Sequence, residues 1–114
     1  MISTIYKIAP RLLWQEAEAC GRFDGAPVDH ADGYIHFSTA EQALETAAKH
    51  FAGETDLVLV AVDTAGLGGA LKFEVSRGGA LFPHLYGPLD LATVKWVKPL
   101  PLEDGVHVFP ELDS

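Results

Sequence analysis

A chain of 114 residues with 48% apolar content holds enough hydrocarbon for one buried core, which excludes wholesale disorder and makes residues 1–114 a single expected domain. Sixteen acidic against eight basic residues give a net charge of −8, which excludes diffuse attraction to long nucleic acid or to an anionic membrane surface. Cys20 is the single cysteine, residues 1–21 lack the pattern of a leader, and no apolar run reaches the ~20 residues of a membrane span, so the expected location is the cytoplasm.

The alternating Thr4-Ile5-Tyr6-Lys7-Ile8 predicts a first strand, with Lys7 on the face opposite Tyr6 and Ile8. Pro10 predicts the first turn of a helix that carries Leu13, Ala17 and Cys20 on its core side and stops at Gly21. Residues 22–32, with Gly25, Pro27 and three Asp, read as a covering loop. Residues 34–37 follow as a short strand. Ser38 and Glu41 fit a capping box, and Ala40, Ala43, Leu44, Ala47, Ala48 and Phe51 form the apolar stripe of a second helix.

Residues 57–62 are apolar on both faces and predict a buried central strand. A glycine-rich turn at 64–70 leads to an alternating strand at 71–75, which an Arg-Gly-Gly sequence ends. Residues 93–97 make a further strand, and 106–109 an edge strand. Two early helices followed by strands predict an α+β domain with a mostly antiparallel sheet.

Two segments, Asp32-Gly33-Tyr34-Ile35-His36-Phe37-Ser38-Thr39 and Phe82-Pro83-His84-Leu85-Tyr86-Gly87-Pro88-Leu89, hold two of the five His and two of the three Tyr. Tyr34 and His36, two apart on a strand, share a face, and the amides after Ser38 suit an anion. The plain alternative for His36 is a half-buried strand residue bonded to a carbonyl. The second segment reads as a proline-stiffened loop presenting His84 and Tyr86 as site residues, or as a rigid corner. Glu74, beside Lys72, reads as a solvated or ion-paired position. No H-E-x-x-H, C-x-x-C, nucleophile elbow or phosphate loop is present, so no metal or covalent cofactor is expected.

These two segments, with Ile5-Tyr6-Lys7-Ile8 and Trp14, resemble the bacterial and plant domain-of-unknown-function family 952 almost from end to end. That family carries no activity with it, but it is in turn distantly similar to the ADP-ribosyltransferase fold. The likeness implies a split antiparallel sheet whose cleft takes NAD as a substrate. Lys7 matches the residue on the nicotinamide-side ribose, and His36 the one bordering the nicotinamide. Where those enzymes carry a late Glu, this sequence departs: it offers His84 or Tyr86, and Glu74 only under a shifted alignment.

Three readings stay open. One is an NAD-binding or ADP-ribosyl-transferring cleft with His36, His84 and Tyr86 at the chemistry, Lys7, Tyr34, Ser38 and Arg11 on the ligand, and a nucleotide or protein acceptor. The second is a binding module for a small anionic metabolite or peptide. The third is a metal-dependent hydrolase using His36 and His84.

Overall fold

The computed structural model describes residues 2–114, the Arg77 side chain excepted. In chain order the elements are β1 (Thr4–Pro10), α1 (Arg11–Cys20), β2 (Arg22–Phe23), α2 (Pro27–Asp32), β3 (Ile35–His36), α3 (Ala40–His50) and β4 (Leu57–Asp63). Then come β5 (Leu71–Val75), β6 (Leu81–Leu85), β7 (Leu89–Asp90), β8 (Val94–Leu100), β9 (Leu102–Glu103) and β10 (Val106–His107). Among the described residues it is a mixed α+β arrangement of three α-helices with antiparallel sheets.

The first sheet has the order β1-β4-β8. β4 lies in its centre, which is why residues 57–62 are apolar throughout: both faces are covered. On one face Val58, Val60 and Val62 meet Trp14, Phe23, Phe37 and Leu85. On the other, Leu57, Leu59 and Ala61 meet Ala47 of α3, with Phe51, Phe109 and Leu112 around the edge.

The second sheet has the order β3-β6-β5, so the segment read as a stiff loop contains a central strand. Pro83 concealed it, because proline has no N–H for a ladder. The geometry accommodates this. The Phe37 amide donates to the Pro83 carbonyl at 3.0 Å, so Pro83 turns its backbone polar side toward β3, at the point where β3 leaves the ladder. One residue later, Ser38 N–H donates to Tyr6 O and Tyr6 N–H to Ser38 O, both at 2.8 Å. The passage 35–38 is therefore the seam between the two sheets.

Other local expectations shift for definite reasons. Pro10 remains extended, with ψ 137° and Leu57 as partner, so α1 starts at Arg11. Cys20 is exposed, and Trp14 and Ala17 make the core contact. The presumed loop contains α2, six residues long and too short to show a period. α3 is capped one residue later than expected: Gln42 Oε1 accepts the Thr39 amide at 3.1 Å, while Ser38 belongs to the seam. With that register Leu44 and Ala48 face solvent, and Ala43 and Ala47 are buried.

Candidate functional site

Strand polarity builds the site. In an antiparallel ladder, pairs without mutual hydrogen bonds bring their side chains closest. Ladder bonds on the β3–β6 side involve Pro83, so His36 and His84, one step along, form such a close pair. Their rings meet edge to face with centroids 5.7 Å apart.

The His36 amide consequently points away from β6, into the gap beside β1, and there Asp29 Oδ1 accepts it at 3.1 Å. Asp29 Oδ1 also lies 2.6 Å from His36 Nδ1. Oδ2 takes the Ala26 amide at 2.7 Å and Lys7 Nζ at 2.9 Å. α2 makes this possible. Pro27 starts its first turn, and Asp29 is the residue whose carboxylate reaches back to the amide before it. One carboxylate thus fastens β1, β3 and α2 at the place where the sheets part.

Burial would push the Asp29 carboxyl up, but the His36 hydrogen bond, the Lys7 charge and the Ala26 amide outweigh it and hold it far below the usual carboxylate range. Lys7 is pushed down by burial, against the pull of Asp29. An ionised Asp29 fixes Nδ1 of His36 as a donor, the orientation a carboxylate gives to an acid–base imidazole. The Nε2 edge meets Asp32 Oδ2 at 2.9 Å, so both nitrogens donate together only when the ring carries its second proton.

His84 repeats the scheme from β6. Its Nδ1 lies 2.9 Å from Glu74 Oε1, and the Tyr86 hydroxyl donates to the same oxygen at 2.7 Å. The bonds from Tyr86 and His84 hold Glu74 below its ordinary value, and the bond to Glu74 raises Tyr86. Tyr34 sits over the group: its ring stacks on His84 with centroids 4.0 Å apart and lies 4.8 Å from His36 and 5.3 Å from Tyr86. Burial raises the Tyr34 phenol, and the charges of Asp32 and Glu74 add to this.

These rings border a cleft of about 430 Å³, small for a ligand site, which Lys7, Tyr34, His36, Ser38 and His84 all line. Tyr86 stands beside it. Arg11 does not reach it: the guanidinium lies at the far end of β1, paired with Asp56 at 2.6 Å and bordering a separate hollow. Ser38 lines the cleft, with its amide bonded to Tyr6 O and its hydroxyl sharing a 2.8 Å hydrogen bond with Thr46. Among the described residues no group of three or more His, Cys, Asp or Glu side chains is arranged to hold a metal ion. No helix among them is long and apolar enough to cross a membrane.

Residues 8–97 match the family described as a protein of unknown function, DUF952. The chain belongs to the DUF952 family. The crystal structure of protein CC0527 from Caulobacter crescentus is 54% identical, with a TM-score of 0.89 over 93% of this chain and 94% of that one. The solution NMR structure of CC0527 is 56% identical, with a TM-score of 0.82 over 90% of both chains. No curated protein matches.

In this DUF952 chain, reading the sequence missed Asp29 and Asp32 and undervalued Glu74. The signal for Asp29 was present in Ala26-Pro27-Val28-Asp29, a proline at the first helical position with an acid two residues on. The signal for Glu74 was not local. It depends on His84 being in a strand paired with β5, which Pro83 obscured.

Proposed function

We propose that the cleft binds a small molecule through a planar ring laid against Tyr34, with the His36 imidazole able to hydrogen-bond a polar group on that ring. The observation that supports this is the pair of facing imidazoles, each with Nδ1 on a carboxylate, beneath one aromatic ring. A preorganised acid–base pair under a stacking surface suits a ring-bearing metabolite.

The nicotinamide end of NAD is the ligand that similarity to the ADP-ribosyltransferase fold suggests. The electrostatics favour that end over the pyrophosphate. Lys7 is neutralised by Asp29, Arg11 is elsewhere, and Asp32 and Glu74 give the rim negative charge. A cationic or neutral ring is therefore preferred to an anion.

The test is an NMR titration of the His36 and His84 imidazoles and the Tyr34 ring with NAD, nicotinamide riboside and ADP-ribose. The expected result is saturable shifts with the first two and none with ADP-ribose. No response to any of them at millimolar ligand overturns the reading.

Binding without transfer of ADP-ribose is the better-supported form. Glu74, the nearest match to a late catalytic Glu, is tied to both His84 and Tyr86. Nicotinamide release from NAD that depends on Glu74 would reverse that preference.

A further inference from the structure

Strand β5 has β6 as its sole ladder partner among the described residues, leaving one edge of the second sheet open. Hydrogen bonds flanking the ladder fix which residues face that edge. Tyr86 N–H donates to Ala70 O, and Ser76 N–H to Ala80 O, so the even-numbered residues of β5 bond to β6. Leu71, Phe73 and Val75 therefore direct their amides and carbonyls outward. Their side chains share one sheet face, on which Phe73, Val75 and the cross-strand neighbour Leu81 are 39%, 69% and 54% exposed. An open edge beside exposed apolar side chains invites another strand.

The sequence of that edge says which strand fits. Leu71-Lys72-Phe73-Glu74-Val75, laid antiparallel on itself about Phe73, sets Phe73 opposite Phe73, Lys72 opposite Glu74, and Leu71 opposite Val75. The register also suits the backbone. The outward Phe73 groups make a hydrogen-bonded pair, and the Lys–Glu positions are the close pairs beside it. A lysine on an edge strand normally guards against pairing. Here the glutamate two residues on converts the same charge into a match. The outer edge of β8, by contrast, carries Lys95, Lys98 and Pro99 and has no such symmetry.

We propose that β5 pairs with β5 of a second copy of this chain about a two-fold axis at Phe73, joining the second sheets into one six-stranded sheet. Each half contributes β3, β6 and β5. The contact is one strand wide, so the dimer is a weak one that separates on dilution. It also brings Lys72 of the second copy across Glu74, the carboxylate that holds His84. It stands apart from the ligand reading and survives that reading's failure.

Sedimentation velocity over micromolar to millimolar protein, with amide hydrogen exchange, tests it. The expected result is a concentration-dependent dimer in which the Leu71, Phe73 and Val75 amides become protected. Lys72→Glu places like charges opposite each other twice and should raise the dissociation constant about tenfold. Val75→Lys, at a site exposed in the monomer, should weaken the dimer without changing the fold. Folded Lys72→Glu and Glu74→Lys chains, mixed at a concentration where each alone is largely monomeric, should form a mixed dimer, because their charges then match in both pairs. A protein that stays monomeric at millimolar concentration overturns the proposal. So does a dimer whose three amides exchange freely, or protection that appears only on adding a foreign strand-forming peptide.

Discussion

His36 and His84 stand directly opposite each other on β3 and β6, the one braced by Asp29 and the other by Glu74. The two braces differ in kind. Asp29 is buried and joins three elements, so its loss is a folding event. Glu74 stands on an open edge and its carboxylate bonds His84 and Tyr86, so its loss disturbs those rings and the edge pairing but not the core. Ligand chemistry and fold stability can therefore be separated by mutation on the two halves of one cleft.

Tyr34 should show that separation most simply. Tyr34→Phe keeps the stack on His84 and should leave ring binding nearly intact. Tyr34→Ala removes it and should weaken binding of nicotinamide riboside about three- to tenfold, given what one aromatic contact contributes. Calorimetric titration of both variants checks this. Equal affinities for the two would remove Tyr34 from the site.

The capping register of α3 yields a stability difference. Gln42 accepts the Thr39 amide and donates to Leu81 O at 2.7 Å, tying the helix start to β6. Gln42→Ala should cost about 1–2 kcal/mol through those two bonds. Glu41→Ala, which would be the damaging change were Ser38 the cap, should be nearly silent. Urea denaturation of both variants decides between the registers.

Where periodicity is local, the sequence displays the fold. β1, β4 and β5 follow from alternation or from a continuous apolar run, and Ala43 and Ala47 mark the inner side of α3. The same is true of His36, which has Tyr34 two residues before it and Ser38 two residues after, although the strand itself covers only Ile35–His36. What escaped depends on long-range pairing. β6 is a strand because β3 and β5 flank it, despite Pro83. Asp29 matters because α2 carries it to the split between sheets that meet only in the folded chain. Arg11 suits an anion as a cation near β1, but it follows the last residue of that strand, four positions beyond Lys7, and there Asp56, distant in sequence, claims the charge.

Gly25 sits against the Asp29 brace with φ +117°, a backbone conformation that side chains rarely adopt, and a Cβ there would come within 3.0 Å of Asp29 Cβ. Gly25→Ala should therefore destabilise by more than about 1 kcal/mol, adding backbone strain to a clash. It should also displace the carboxylate, so the His36 imidazole signal should move in the ligand-free protein. Thermal unfolding with histidine NMR tests this. A stable variant with an unmoved His36 signal would show that α2 shifts freely relative to β3.

The Lys7–Asp29 pair makes the sharpest demand on stability. Asp29→Asn leaves a buried ammonium without its counter-charge and should cost about 3–5 kcal/mol, whereas Lys7→Met with Asp29→Asn should recover much of that. The pH dependence follows from the depressed Asp29 carboxyl. A group whose value is lowered by folding stabilises above its unfolded value, about 3.9, and that stability drains away as pH falls toward the folded value. The native protein should lose stability steadily below about pH 5. The double variant should lose less over the same interval, because it has no carboxylate at 29 to protonate. Chemical denaturation at a series of acid pH values measures the two slopes, and parallel slopes would mean that Asp29 titrates alike in the folded and unfolded chains.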